Sequence, residues 1–108
     1  MMEIEISISS TDSDLYFIST KIDGHYDKIG ELKYNIVNKT NLLITYLHLD
    51  NQFRNSETLK VFFKTLFLYN KRVNVCIGRF DNAELYEKSG AVLESNRMFR
   101  IERDRGGD

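Results

Sequence analysis

The chain has 108 residues, 42% of them apolar and 29% charged, the balance of a folded globular domain and not of a disordered segment. Fifteen Lys and Arg against sixteen Asp and Glu leave a formal charge of −1, so no basic field directs it to nucleic acid or an anionic membrane. The lone Cys76 excludes an intrachain disulfide, and no Cys/His spacing suits a zinc site, so no metal is expected. No apolar run approaches a membrane span. The N-terminus alternates Ile with acidic and hydroxyl residues, unlike a signal peptide, and a cytoplasmic protein is expected.

In chain order, Glu3 to Ser9 alternates strictly with period two, which predicts a strand with one buried face. Ser10 to Asp14 is a turn cluster, and Leu15 to Ile22, aromatic and β-branched, reads as a second strand. Asp23-Gly24 turns into a third strand, Ile29 to Val37, with Leu32, Tyr34 and Ile36 on one side. The fourth strand follows Asn38-Lys39-Thr40. It carries Leu42, Leu43, Ile44, Tyr46, Leu47 and Leu49, apolar on both faces, which predicts a central strand covered on two sides.

A polar corner, Asp50 to Asn55, leads into Leu59, Phe62, Phe63, Leu66 and Phe67, the spacing of one helix face over about Ser56 to Asn70. A strand, a corner bearing Arg54 and a helix whose first amides face that corner together predict an anion site. Val73, Val75 and Ile77 then read as a short strand ending at Gly78. Asp81 with Glu84 fits a capping box for a second helix to Ser89, and Gly90 suits the left-handed residue beyond it. Ala91 to Ser95 and Met98 to Arg103 predict a closing hairpin around Asn96. Residues 1–103 are thus expected to form one α+β domain, a mixed, mainly antiparallel sheet with two main helices, followed by a loose tail at 104–108. The expected core centres on Leu47, Leu49, Phe62, Phe63, Leu66, Val75 and Ile77.

This order of elements, with L-H-L-D-N-Q-F-R at the end of the fourth strand and L-Y-E-K-S-G-A in the second helix, resembles the GNAT superfamily of acyl-CoA-dependent N-acetyltransferases over roughly Ile29 to Arg103. The resemblance implies that backbone amides at Leu47 and Leu49 would hold the pantetheine and acyl carbonyl. It further implies a pyrophosphate loop at Arg54, Asn55 and Ser56, and Tyr86 as the acid that protonates the departing thiolate. Lys88 and Gly90 match the lysine and glycine that follow that tyrosine. His48, beside the implied acyl position, is the candidate base.

The departures from the family pattern are chemical. Glu57 and Leu59 stand where the loop has small residues that let amides approach phosphate. Two like charges at ~4 Å cost about 4 kcal/mol at an effective dielectric near 20, about a thousandfold in affinity. Glu57 instead suits the first turn of a helix, where a carboxylate can satisfy the dipole and the free amides. Leu43 and Thr45 occupy the family's base positions and cannot act as bases. Ser9 to Leu15 leaves no room for the N-terminal helix pair. The sequence therefore predicts a GNAT-like domain that binds acetyl-CoA weakly and works through a protein partner, with a homodimer compatible. The alternative is a divergent acetyl-CoA-dependent N-acetyltransferase acting on an amine, with Tyr86 as acid and His48 or a water as base.

Overall fold

The structure, a computed structural model, describes residues 2–103. Seven strands form one sheet: β1 (Ile4–Ile8), β2 (Tyr16–Ile22), β3 (His25–Val37), β4 (Asn41–Leu49), β5 (Val75–Arg79), β6 (Val92–Leu93) and β7 (Met98–Glu102). Their order is β1-β2-β3-β4-β5-β7-β6, and only β4 and β5 run parallel. Helix α1 (Ser56–Tyr69) crosses from β4 to β5, and α2 (Ala83–Lys88) follows β5. This is the expected α+β sheet, and no helix lies among residues 2–40. No described helix is long and apolar enough to cross a membrane. The residues expected to form a tail, 104–108, lie outside the described part.

Both helices pack on the same sheet face. Phe99 of β7 meets Phe63 of α1 at 5.5 Å between ring centroids and Tyr86 of α2 at 4.9 Å. Pairing across the sheet places Ile6, Ile18, Leu32, Leu42, Ile44, Leu49, Cys76 and Phe99 on this side, all buried. From α1, Leu59, Phe62, Phe63, Leu66 and Phe67 are buried against them. At ~2 kcal/mol for each large apolar side chain, this stripe supplies on the order of 10 kcal/mol of gross transfer free energy, which is what holds the helix in place.

The opposite face is uncovered, and this corrects the two-sided β4. Leu43 is half-buried and Tyr46 exposed, because the chain places no helix over them. The same fact shifts the core in β5. Val75 and Ile77 point to the uncovered side and are half-buried, while Cys76 and Gly78 face the helices. Gly78 is required there: a Cβ would lie 2.8 Å from the Phe99 ring and 3.2 Å from Ile44 Cβ. Val73 is buried in the turn before the strand, and Leu47 is only half-buried, whereas Leu49, Phe62, Phe63 and Leu66 are core as expected.

Two ladder irregularities shape the sheet. Ile18 pairs with Gly30 but Ser19 with Lys28, so Ile29 is an extra residue on β3. Lys33 pairs with Tyr46 but Tyr34 with Ile44, so Thr45 is an extra residue on β4. Such bulges bend a strand and increase its twist. The bend at Thr45 lies where β4 leaves β5.

Candidate functional site

The β4–β5 ladder ends at Leu43 and Ile77, although β4 continues to Leu49 and β5 to Arg79. Beyond that point the two strands diverge and leave a gap open toward their C-terminal ends. Asp50 donates its N–H to Ile29 O on β3 at 2.8 Å. By strand alternation, the amides of Leu47 and Leu49 point to the opposite edge, into the gap. Leu47 and Leu49, the two residues named from sequence, thus lie along the edge of this gap.

The gap has an inner and an outer part. The inner part, between Leu47, Leu49, Leu59, Leu85 and Tyr86, holds about 20 Å³, room for roughly one water. Its mouth is spanned by an ion pair between Arg54, from the corner after β4, and Asp81, from the loop after β5. Leu59 is 1% exposed, and its side chain forms part of the wall. The outer part, about 350 Å³, opens between Thr45, Tyr46 and Leu47 on one side and Arg79, Phe80 and Arg97 on the other.

Asn55 and Ser56 begin α1. The Asn55 side chain accepts the Thr58 N–H at 2.9 Å, and its carbonyl accepts from Leu59. Part of the amide set that would face an anion is thus satisfied internally. Glu57 was expected to fill that role. Its side chain is exposed and makes no hydrogen bond or ion pair among the described residues, the shorter Asn55 already occupying the cap. The second helix shows the same substitution of caps. Asn82, and not Asp81, accepts the Leu85 N–H at 3.1 Å, leaving Asp81 to pair with Arg54, while Glu84 pairs with Lys88 at 2.7 Å.

Tyr86 lies in α2 with its ring against Phe80 and Phe99, 6% exposed, and lines both parts of the gap. Its hydroxyl makes no hydrogen bond to a described residue. Burial pushes its pKa up to about 12, the Asp81 carboxylate adds to this and the Arg54 guanidinium opposes it. The phenol therefore keeps its proton at neutral pH. His48 is elsewhere. It pairs with Glu31 on the uncovered face, half-exposed, with Nε2 3.6 Å from Asp50 Oδ1. The structure brings Tyr86, Leu47, Leu49 and Arg54 together and sets His48 on the other side of the sheet.

Sequence reasoning missed Asp81 as the partner of Arg54 and Thr45 as the bulge. Arg54 and Asp81 are 27 residues apart and only the fold joins them. Among the described residues, no three His, Cys, Asp or Glu side chains are grouped to hold a metal ion.

No protein-family model matches the chain, and no curated protein matches it by sequence. Solved structures do match. The N-acetyltransferase PseH of Campylobacter jejuni, in complex with acetyl coenzyme A, aligns with a TM-score of 0.58 at 10% identity, over 98% of this chain and 100% of that one. A GNAT-family acetyltransferase of Bacillus anthracis aligns at 0.55 and 15% identity, over 83% of this chain and 66% of that one. A second structure of PseH aligns at 0.54 and 13% identity, over 89% and 72%. At these identities the likeness is one of fold, and the fold is that of the GNAT N-acetyltransferases.

Proposed function

We propose that this chain is a GNAT-fold domain that does not transfer acetyl groups, a pseudoenzyme that acts by binding a protein partner. The observation that carries this reading is the Arg54–Asp81 ion pair across the gap between β4 and β5. A pantetheine arm entering there would have to break that pair and displace Leu59 from its packed position, since the inner space is about 20 Å³. The pair itself is half-exposed and worth at most about 1 kcal/mol. Its effect is to engage the arginine that would otherwise meet phosphate and to set a carboxylate beside the phosphates' path. Glu57 adds a second negative charge, and Asn55 already holds an α1 amide.

Tyr86 favours a second reading, a divergent acetyl-CoA-dependent N-acetyltransferase. Its protonated hydroxyl, without a hydrogen-bond partner among the described residues, lines the gap where a thiolate would leave. Assays of thiol release with acetyl-CoA and a panel of primary amines separate the two. The proposal expects no turnover above the uncatalysed rate and no thermal shift with acetyl-CoA. Turnover abolished by Tyr86→Phe would put the enzyme reading in its place.

A further inference from the structure

A groove of about 630 Å³ runs between the C-terminal half of α1 and β7, away from the β4–β5 gap. Phe63, Phe67, Leu68 and Ile101 give it apolar walls. Leu68 is 63% exposed, the largest exposure of any large hydrophobic side chain among the described residues. Lys60, Lys64 and Leu68 succeed one another at four-residue spacing, so the two ammonium groups and the leucine form one line along the helix beside the groove.

Among the described residues, the cations around this groove have no acidic partner. Lys60 and Lys64 make no ion pair among the described residues. The single acid of the lining, Glu102, is engaged by Arg100 at 2.7 Å. Arg103 is held at the far end: Nε donates to Val73 O at 2.8 Å, and Nη2 donates to Phe67 O and Asn70 O at 2.9 and 2.8 Å. Its guanidinium lies 5.0 Å over the Phe67 ring, and Nη1 has no hydrogen-bond partner among the described residues. The carbonyls at the end of α1 fix this cation in place and leave its Nη1 donor pair unengaged among the described residues. Three cations thus flank an apolar trough in a chain whose net charge is −1.

We propose that this groove docks an acidic amphipathic peptide segment of a partner protein. Leu- or Phe-type side chains would enter between Phe67, Leu68 and Ile101, while carboxylates on the flanks would meet Lys60, Lys64 and Arg103 Nη1. The apolar walls favour a peptide over nucleic acid, which would need a charged floor or exposed stacking rings. The inference rests on the protein-binding reading above and names its surface. Acetyl-CoA titration tests the gap and peptide titration tests the groove, so the two fail separately.

The test uses a fluorescein-labelled helical peptide with Leu and Phe along one face and Glu on both flanks, and a second in which every Glu is Lys. Anisotropy titration of the full chain should show binding of the Glu peptide that weakens with added salt, and none of the Lys peptide. The double substitution Lys60→Glu with Lys64→Glu should weaken binding at least about tenfold. Leu68→Asp should act likewise, and Lys39→Glu, on the β3–β4 turn, should leave it unchanged. Circular dichroism of each variant confirms that it is folded. No binding up to about 1 mM, equal binding of both peptides, or binding that survives the double reversal would overturn the proposal. Lysine-dependent binding to phosphatidylserine vesicles without peptide binding would replace it with a lipid surface.

Discussion

The two ends of α1 are opposites. At its N-terminus the charges and amides are taken up: Arg54 by Asp81, and Thr58 N–H by Asn55, around an inner space of about 20 Å³. Farther along the helix, Lys60 and Lys64 have no acidic partner among the described residues, and a leucine stands in solvent beside about 630 Å³ of groove. In solved structures of the same fold, acetyl coenzyme A is found with PseH. Here the end of α1 nearest the splayed strands is closed and the other is open. The difference teaches that a fold fixes where a cleft can form, while the pairing of charges inside it decides whether a ligand can use it.

The largest expected effect would break both regions at once. Phe63 packs against Phe62 and Phe99 at 5.2 and 5.5 Å and is 1% exposed, so Phe63→Ala should cost about 3–5 kcal/mol in urea denaturation through the cavity it leaves. A loss under about 1 kcal/mol would mean that the helix does not depend on this face.

Alkaline pH sharpens the comparison at the closed end. The Tyr86 pKa lies at about 12 in the folded chain against the ordinary 10.0. Above pH 10 the unfolded chain loses this proton while the folded one keeps it, so the associated stability is full below pH 10 and is lost as pH rises toward 12. At 1.36 kcal/mol per unit, about 3 kcal/mol should disappear over that window. Tyr86→Phe should remove that part of the slope. An identical pH profile for the two proteins would contradict the burial of this hydroxyl.

Smaller effects should follow at the cap. Asn55→Ala should lower stability by about 1 kcal/mol, since the Thr58 amide loses its acceptor, and Asn55→Asp should nearly restore it. A melting temperature unaffected by either change would show that the first turn does not need this bond.

Much of this arrangement was legible in the chain. Period-two alternation marked the first and third strands, β-branched and aromatic content the second and an apolar run the fourth, and the α1 spacing of Leu59, Phe62, Phe63, Leu66 and Phe67 located the helix within one residue of its end. The L-H-L-D-N-Q-F-R segment pointed to the gap. What escaped were features set by neighbours distant in sequence. Val75 and Ile77 look like core because alternation reveals two faces without saying which one the helices cover. Only Phe99, arriving from β7 against Gly78, decides it. Asp81 reads as a cap by its spacing to Glu84, yet the fold carries it to Arg54 and leaves the capping to Asn82. Thr45 gives no local sign that it is the extra residue of a bulge.

The central claim is that the pairing of Arg54 with Asp81 keeps acetyl-CoA out. Isothermal titration of acetyl-CoA into the unmodified chain and into Asp81→Asn tests it most directly. That change removes the carboxylate and frees the guanidinium at a cost of no more than about 1 kcal/mol in stability. The account predicts no heat of binding for the unmodified chain, with affinity weaker than about 1 mM, and a gain of at least about tenfold for the variant. Micromolar binding by the unmodified chain, unaltered in Asp81→Asn, would contradict it.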